Sequence, residues 1–267
     1  MIADYNGIQT RIAHGHDTLT GINFSKKEKI IINIKKALIK NHASNFCACS
    51  LEAGTDIFGL KFFAKNGSVI PNVIPYKTFF DINEENVHSL KEKHNITENQ
   101  IVIGNISRFE PKKNQDFIID VFGKIHEKSN KYILVLGGVD GGQEQFIKDK
   151  VNSLGLSDYV RFIGPRNDVK DWLHIINIYL FPSLFEGLGI VCLENQASNL
   201  FTIASTNVPS ITDLGIGLIK YLPLDSKEEW ISEIQNYAKQ TVALDIIEAQ
   251  MVEKNYSSTE ALEKVYK

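Results

Sequence analysis

From Ile101 onward the chain alternates short apolar runs with segments whose apolar residues recur every three or four positions. Short apolar runs bounded by turn residues read as buried strands, and the longer spacing reads as helices. The pattern predicts strands at 101–106, 131–136, 159–163, 176–181 and 201–204, with helices at 114–128, 141–154, 167–173 and 189–198. Such alternation predicts a doubly wound parallel sheet with helices on both faces. Upstream the pattern is shorter. A helix end leads to a strand at Gln9 to Ala13, and residues 26–42 carry Ile30, Ile31, Ile34, Ala37 and Leu38 at helical spacing. A strand at Asn45 to Ser50, a short helix at Leu51 to Gly59 and a strand at Gly67 to Ile70 follow. Asn72 to Phe80, with Pro71 and Pro75 and no periodicity, is the predicted interdomain linker, and 84–95 a charged helix. Lys227 to Tyr237 and Thr241 to Glu253 close the chain as helices, with a short one ending at the terminus.

The most informative stretch is Pro182-Ser183-Leu184-Phe185-Glu186-Gly187-Leu188-Gly189-Ile190-Val191-Cys192-Leu193-Glu194. It follows the apolar run Ile175 to Phe181 and then takes up helical spacing. A strand, a glycine-containing turn and a helix start direct free N–H groups and the positive end of a helix dipole at an anion. Glu186 precedes the helix and Glu194 sits about one turn into it, so both carboxylates are expected to face the crevice at the carboxyl end of the sheet, where open α/β folds bind ligands. A phosphate site flanked by two hydroxyl-binding acids suits a nucleotide sugar. The duller reading is a helix-start capping acid and a solvated face residue.

These residues carry a family resemblance. Glu186 and Glu194, seven residues between them, resemble the paired glutamates of retaining glycosyltransferases of family 4 (group 1), which have the two-domain GT-B fold. Asn105-Ile106-Ser107-Arg108-Phe109 with Lys113 resembles that family's strand and loop for the donor diphosphate, with Lys112 able to stand in for Lys113. Tyr132 to Gly138, Val160 to Pro165 and Asp168 to Leu173 resemble its next elements, in order over roughly residues 100 to 225. Arg11-Ile12-Ala13-His14-Gly15-His16 is similar to the bacterial capsule, exopolysaccharide and O-antigen members.

The resemblance implies an α/β GT-B fold of two Rossmann-like domains with parallel sheets, the N-terminal one incomplete. The partial acceptor-side domain would be residues 1–80, the nucleotide-sugar domain 81–235, and closing helices 236–267. About 80 residues precede the linker, against on the order of 120 for a whole Rossmann-like domain; the expectation is a truncated or split gene product. The resemblance further implies transfer of a hexose, with retention, from a nucleoside diphosphate sugar to a glycan or lipid-linked glycan acceptor. In that reading His16 and Glu186 are catalytic, Arg108, Lys113, Gly187, Leu188, Gly189 and Glu194 bind the donor, and Glu194 holds the ribose. No cofactor and no metal are expected, because cationic side chains and a helix dipole stabilise the leaving diphosphate. His14 and His16 are expected to alternate, one toward the cleft and the other into the domain. Asn199 stands where a small-small-Gly helix end is typical, and asparagine tolerates the left-handed conformation.

Composition changes the picture little. The 267 residues are 43% hydrophobic and 23% charged, as in an ordinary globular protein. A formal net charge of −3 gives no general attraction to nucleic acid. Three cysteines, an odd number, argue against a disulfide framework and fit a reducing cytoplasm, with all three read as small buried hydrophobes. His42, His88, His94, His126 and His174 read as surface residues. The basic 26–40 helix is a candidate for peripheral membrane contact, and a partner chain supplying missing strands is a further candidate. Two alternatives stand beside the transferase: an inactive remnant or split-enzyme partner that only binds nucleotide, and a sugar-nucleotide epimerase on the same fold.

Overall fold

Two parallel sheets of unequal size face each other across a cleft. The structure is a computed structural model and describes residues 2–18 and 24–257. A first turn of helix, α1 (Ile2–Tyr5), leads into a sheet of three strands, β1 (Ile12–Gly15), β2 (Asn45–Ala48) and β3 (Gly67–Val69), in that spatial order. Helix α2 (Lys26–His42) joins the first two strands; α3 (Leu51–Phe58) and α4 (Leu60–Asn66) join the second to the third. Ser25 and Glu28 form a reciprocal capping box that fixes the start of α2. No described residue of α2 is buried, and Ile30, Ile31, Ile34, Leu38 and Ile39 point outward.

After a 3-10 turn at Tyr76–Phe79 and α5 (Glu84–Lys93) comes the larger unit. Its strands are β4 (Ile101–Ile106), β5 (Tyr132–Gly137), β6 (Val160–Gly164), β7 (Ile178–Phe181), β8 (Phe201–Ser205) and β9 (Ile219–Leu222), in the order β6-β5-β4-β7-β8-β9. Helices α6 (Gln115–His126), α7 (Glu144–Ser153), α8 (Val169–Ile175), α9 (Ile190–Ala197) and α10 (Lys227–Gln235) cross between or after the strands. Strand order reverses between β4 and β7, which pair only at Ile103–Ile178 and Gly104–Tyr179. Beyond that ladder, side chains take over. The buried Tyr179 hydroxyl accepts from Ile106 N (3.0 Å) and donates to Ile106 O (2.8 Å), and Asn105 Nδ2 donates to Leu180 O (2.8 Å). Burial pushes the Tyr179 pKa up, so its hydroxyl keeps the proton it donates. This reversal is the switch point at which doubly wound sheets take ligands.

Apolar side chains fill both faces of the large sheet, and a separate cluster around Phe46, Ala53, Phe58 and Phe63 fills the small unit. Helix α11 (Leu244–Glu253) returns to the large core through Ile247 and Met251. Tyr256 then meets the linker, accepting from Ile74 N at 3.2 Å and donating its hydroxyl to Ile211 O at 2.7 Å.

Several boundaries differ from the sequence pattern for identifiable reasons. β1 starts at Ile12, three residues later than predicted, because β2 starts only at Asn45 and the register pairs those two residues. Helix α7 starts at Glu144, because the Asp140 carboxylate accepts from the N–H groups of Gly142, Gln143 and Glu144 and holds them in a turn. α4, β9 and the 3-10 turn in the linker were not predicted. Asn199 is left-handed, with φ 57°. The predicted short helix at the terminus lies largely outside the described residues.

Candidate functional site

The loops that follow β4 and β7 meet over the switch point. Gln115 of α6 donates to Ser107 Oγ (3.0 Å) and Arg108 O (2.9 Å), shaping the first loop from below. Leu184 N donates to Lys112 O (2.8 Å) and Asn114 Nδ2 to Pro182 O (3.1 Å), joining the two loops. On this base Lys113 Nζ lies 2.5 Å from Glu186 Oε1, with the Phe181 ring 5.2 Å from the ammonium. Glu186 is a buried acid at 8% exposure, and the lysine is its only ion-pair partner among the described residues.

The small unit closes over the same point. Ser50 caps α3, accepting from Ala53 N at 3.1 Å, while its hydroxyl donates to Gly187 O at 2.5 Å. A Cβ on Gly187 would sit 2.3 Å from the His16 carbonyl oxygen, so only glycine lets these two backbones touch. Gly189, at φ 84°, turns the chain into α9. Leu188 between them is 3% exposed and packs into the small unit's core. Its side chain ties the turn to the small unit, and Leu188 is also among the residues that border the cavity between the loops.

That cavity, about 280 Å³, is bordered by His16, Asp17, Lys112, Lys113, Glu186 and Gly187 to Val191. Lys112 reaches across the cleft to Asp17 at 3.0 Å. Burial opposes its charge, but Asp17, Glu186 and Glu110 outweigh burial and hold its pKa above the usual lysine value. The first turn of α9 contributes free N–H groups. Two ammonium groups and a helix start around one chamber make it suited to an anion.

Glu194 is half-buried, on the face of α9 shared with Ile190 and Val191, which border the cavity. Its carboxylate has no hydrogen bond or ion pair among the described residues, and burial raises its pKa. Glu194 itself is not among the residues that border the cavity. Arg108 stands apart: it is exposed, with its stem against Gly141, and its guanidinium has no partner among the described residues. It is not among the residues that border the cavity.

The two histidines correct their expectation. Their rings lie 4.0 Å apart and both are exposed, because residues two apart on an extended chain point the same way. Burial, and then the neighbouring His16, lower the His14 pKa. His42, His94, His126 and His174 are half-buried and not free surface residues; His42 Nδ1 sits 2.8 Å from Asp4, and His94 and His126 lie against Trp172 and Tyr159. Cys47, Cys49 and Cys192 are buried free thiols. Among the described residues no His/Cys/Asp/Glu group has metal-site geometry, and no helix is long and apolar enough to cross a membrane. Sequence reasoning missed Ser50, Gln115 and Tyr179, whose partners lie 137, 7 to 8 and 73 positions away.

Residues 86–215 match the family described as glycosyl transferases group 1. A Bacillus subtilis (strain 168) protein named as the glycosyltransferase EpsF is 29% identical over 225 residues, covering 84% of this chain and 58% of its own. The capsular polysaccharide biosynthesis glycosyltransferase CapH of Staphylococcus aureus is 27% identical over 184 residues, covering 68% and 48%. The chain thus spans about half the length of these curated relatives. The crystal structure of Anabaena HepE in complex with UDP and glucose superposes with a TM-score of 0.80 at 19% identity, over 99% of this chain and 72% of that one. WaaG, a glycosyltransferase involved in lipopolysaccharide biosynthesis, superposes with a TM-score of 0.67 at 14% identity, over 99% and 78%. At these identities the likeness speaks for the fold, which is GT-B.

Proposed function

We propose, from a GT-B chain whose residues 86–215 carry the glycosyl transferases group 1 family, that this protein acts in hexose transfer. The donor would be a nucleoside diphosphate sugar and the acceptor a surface-polysaccharide glycan, with retention at the anomeric carbon. The observation that carries the reading is the Lys113–Glu186 pair at 2.5 Å, set beside the Gly187 to Gly189 turn and His16 in one cavity. HepE, bound to UDP and glucose, supports the choice of donor class.

In this reading the diphosphate lies along Lys113 and the amides at the start of α9, with Arg108 swinging in from the rim. Glu194 accepts from the ribose hydroxyls. Glu186, held by Lys113, accepts from a hydroxyl of the transferred sugar. The bond from the anomeric carbon to the diphosphate oxygen breaks while the acceptor oxygen bonds to that carbon on the same face. The acceptor's proton passes to the leaving diphosphate, so no separate base is required. His16, at the small unit's edge of the cavity, faces the breaking bond. Preorganised charge of this kind supplies its stabilisation where negative charge grows on the leaving group.

The test is calorimetry with UDP and with uridine in metal-free buffer. Micromolar to low-millimolar binding of UDP, well ahead of uridine, supports the reading; equal affinity for both, or none for either, overturns it.

A further inference from the structure

A second cavity, about 520 Å³, opens on the other side of Glu186. That size lies within the range of about 300–1,000 Å³ typical of small-molecule sites. Glu186 is a wall common to both chambers. The loop after β1 runs from one to the other: His16 and Asp17 border the first, Thr18 the second. Because one acid and one loop form the partition, a ligand in the second chamber lies directly beside whatever the first chamber holds.

The linings differ in chemistry. The first chamber has two lysines. Among the described residues, the second has no lysine, arginine or histidine on its wall and two carboxylates, Glu52 at the start of α3 and Glu186. Glu186 is compensated by Lys113, so the charge that an entering anion meets is that of Glu52, of like sign. Thr206, Asn207 and Ser210, from the loop after β8, add hydroxyl and amide groups, and Phe185 adds a flat apolar face. Thr18, on the same wall, is 5% exposed, yet its Oγ1 has no hydrogen-bond partner among the described residues. A buried hydroxyl left unpaired is a place where a ligand's hydroxyl completes the bonding. Alternating donors and acceptors beside an aromatic face, with no positive charge, fit an uncharged polyhydroxylated ring.

We infer that this second chamber is the acceptor subsite and that it selects an uncharged sugar, presenting one of its hydroxyls past Glu186 to the donor chamber. The inference rests on the transferase reading above and adds the charge class of the acceptor's terminal residue. A terminal sugar carrying phosphate or carboxylate is disfavoured by Glu52.

Saturation-transfer NMR on the full chain with UDP present tests it. The probes are a panel of neutral disaccharides (lactose, maltose, cellobiose) and lactose 1-phosphate. The expected result is transfer to at least one neutral disaccharide, at least fivefold stronger than to lactose 1-phosphate. Asn207→Ala and Glu52→Ala, at exposed positions, should each weaken that signal at least fivefold while changing UDP affinity less than twofold. Glu52→Lys should reverse the order of neutral and phosphorylated probes. No transfer to any neutral disaccharide, signals indifferent to these variants, or displacement of the disaccharide by UDP-glucose but not by UDP would overturn the acceptor assignment. Loss of UDP binding with disaccharide binding intact would instead sink the donor reading and leave a neutral-glycan site.

Discussion

Lys113 and Glu186, 73 positions apart, meet at 2.5 Å over the switch point. Neither the lysine nor the acid is free surface; their side chains are 17% and 8% exposed. Each therefore shapes the other's availability to a ligand, and the pair joins the loop after β4 to the loop after β7.

Removing one partner leaves the other charge stranded in a poorly solvated place. Lys113→Ala should destabilise the fold by about 1–3 kcal/mol, less than a fully buried pair would lose. Lys113→Ala with Glu186→Ala together should recover part of that loss. A double-mutant cycle by chemical denaturation checks this; strictly additive losses would show that the contact contributes nothing. The same lysine substitution should weaken UDP more than uridine, since only UDP offers a diphosphate.

Gly187→Ala probes the seam between the units. The added methyl would sit 2.3 Å from the His16 carbonyl oxygen and 2.7 Å from Asp17 Cα, both backbone atoms that cannot rotate away. Relief requires the loops to separate, which also stretches the Ser50–Gly187 bond. Overpacking of this kind costs about 1–3 kcal/mol, a fall of roughly 2–4 °C per kcal/mol in a protein of this size. Unchanged melting would mean the two units do not touch in solution as they do here. Ser50→Ala should act in the same direction and more weakly.

How far the sequence went can be read from these residues. Strands β4, β5, β7 and β8 are apolar runs largely buried on both faces, so their pattern was unambiguous, whereas the edge strand β6 is half-buried at Arg161, Phe162 and Gly164. β9 was missed because Ile219-Lys220-Tyr221-Leu222 is a four-residue edge strand behind a glycine cluster, with only its two ends buried. α4 was missed because it restarts at Gly59 one residue after α3 ends, without a capping side chain. Glu186, Glu194, Lys113 and the glycine turn could be nominated because they lie on local motifs. The role of Gly187 could not, since its reason is a carbonyl 171 positions earlier in the chain. The shared face of His14 and His16 was legible in the two-residue period of a strand and was misjudged.

Arg108 should behave unlike Lys113. It is exposed and unpaired among the described residues, so Arg108→Ala should leave stability within about 0.5 kcal/mol. Its effect on UDP should appear at low salt and shrink as ionic strength rises past the point where the screening length falls to about 8 Å. Titrations at two salt concentrations check this. A salt-independent loss would place Arg108 in direct, dry contact with the diphosphate.

Glu194→Gln separates stability from binding. Burial raises the folded-state pKa of Glu194, so the folded protein holds that proton more tightly than the unfolded chain does. The sign follows from linkage: this residue's contribution to stability is greatest below the unfolded glutamate value of about 4.3 and declines as pH rises through the folded value. As pH rises through the folded value the wild type takes on a desolvated carboxylate with no partner among the described residues, and glutamine removes that penalty while keeping the shape. The variant should melt higher than wild type at pH 7, with the gap narrowing toward pH 4. UDP affinity should move the other way, by about 1–3 kcal/mol, because the neutral amide is a weaker acceptor for two ribose hydroxyls than the carboxylate. A functional acid maintained against stability is the trade-off expected at a ligand site. A variant that melts lower at pH 7, or binds UDP as tightly as wild type, would show that Glu194 serves the fold and not the ribose.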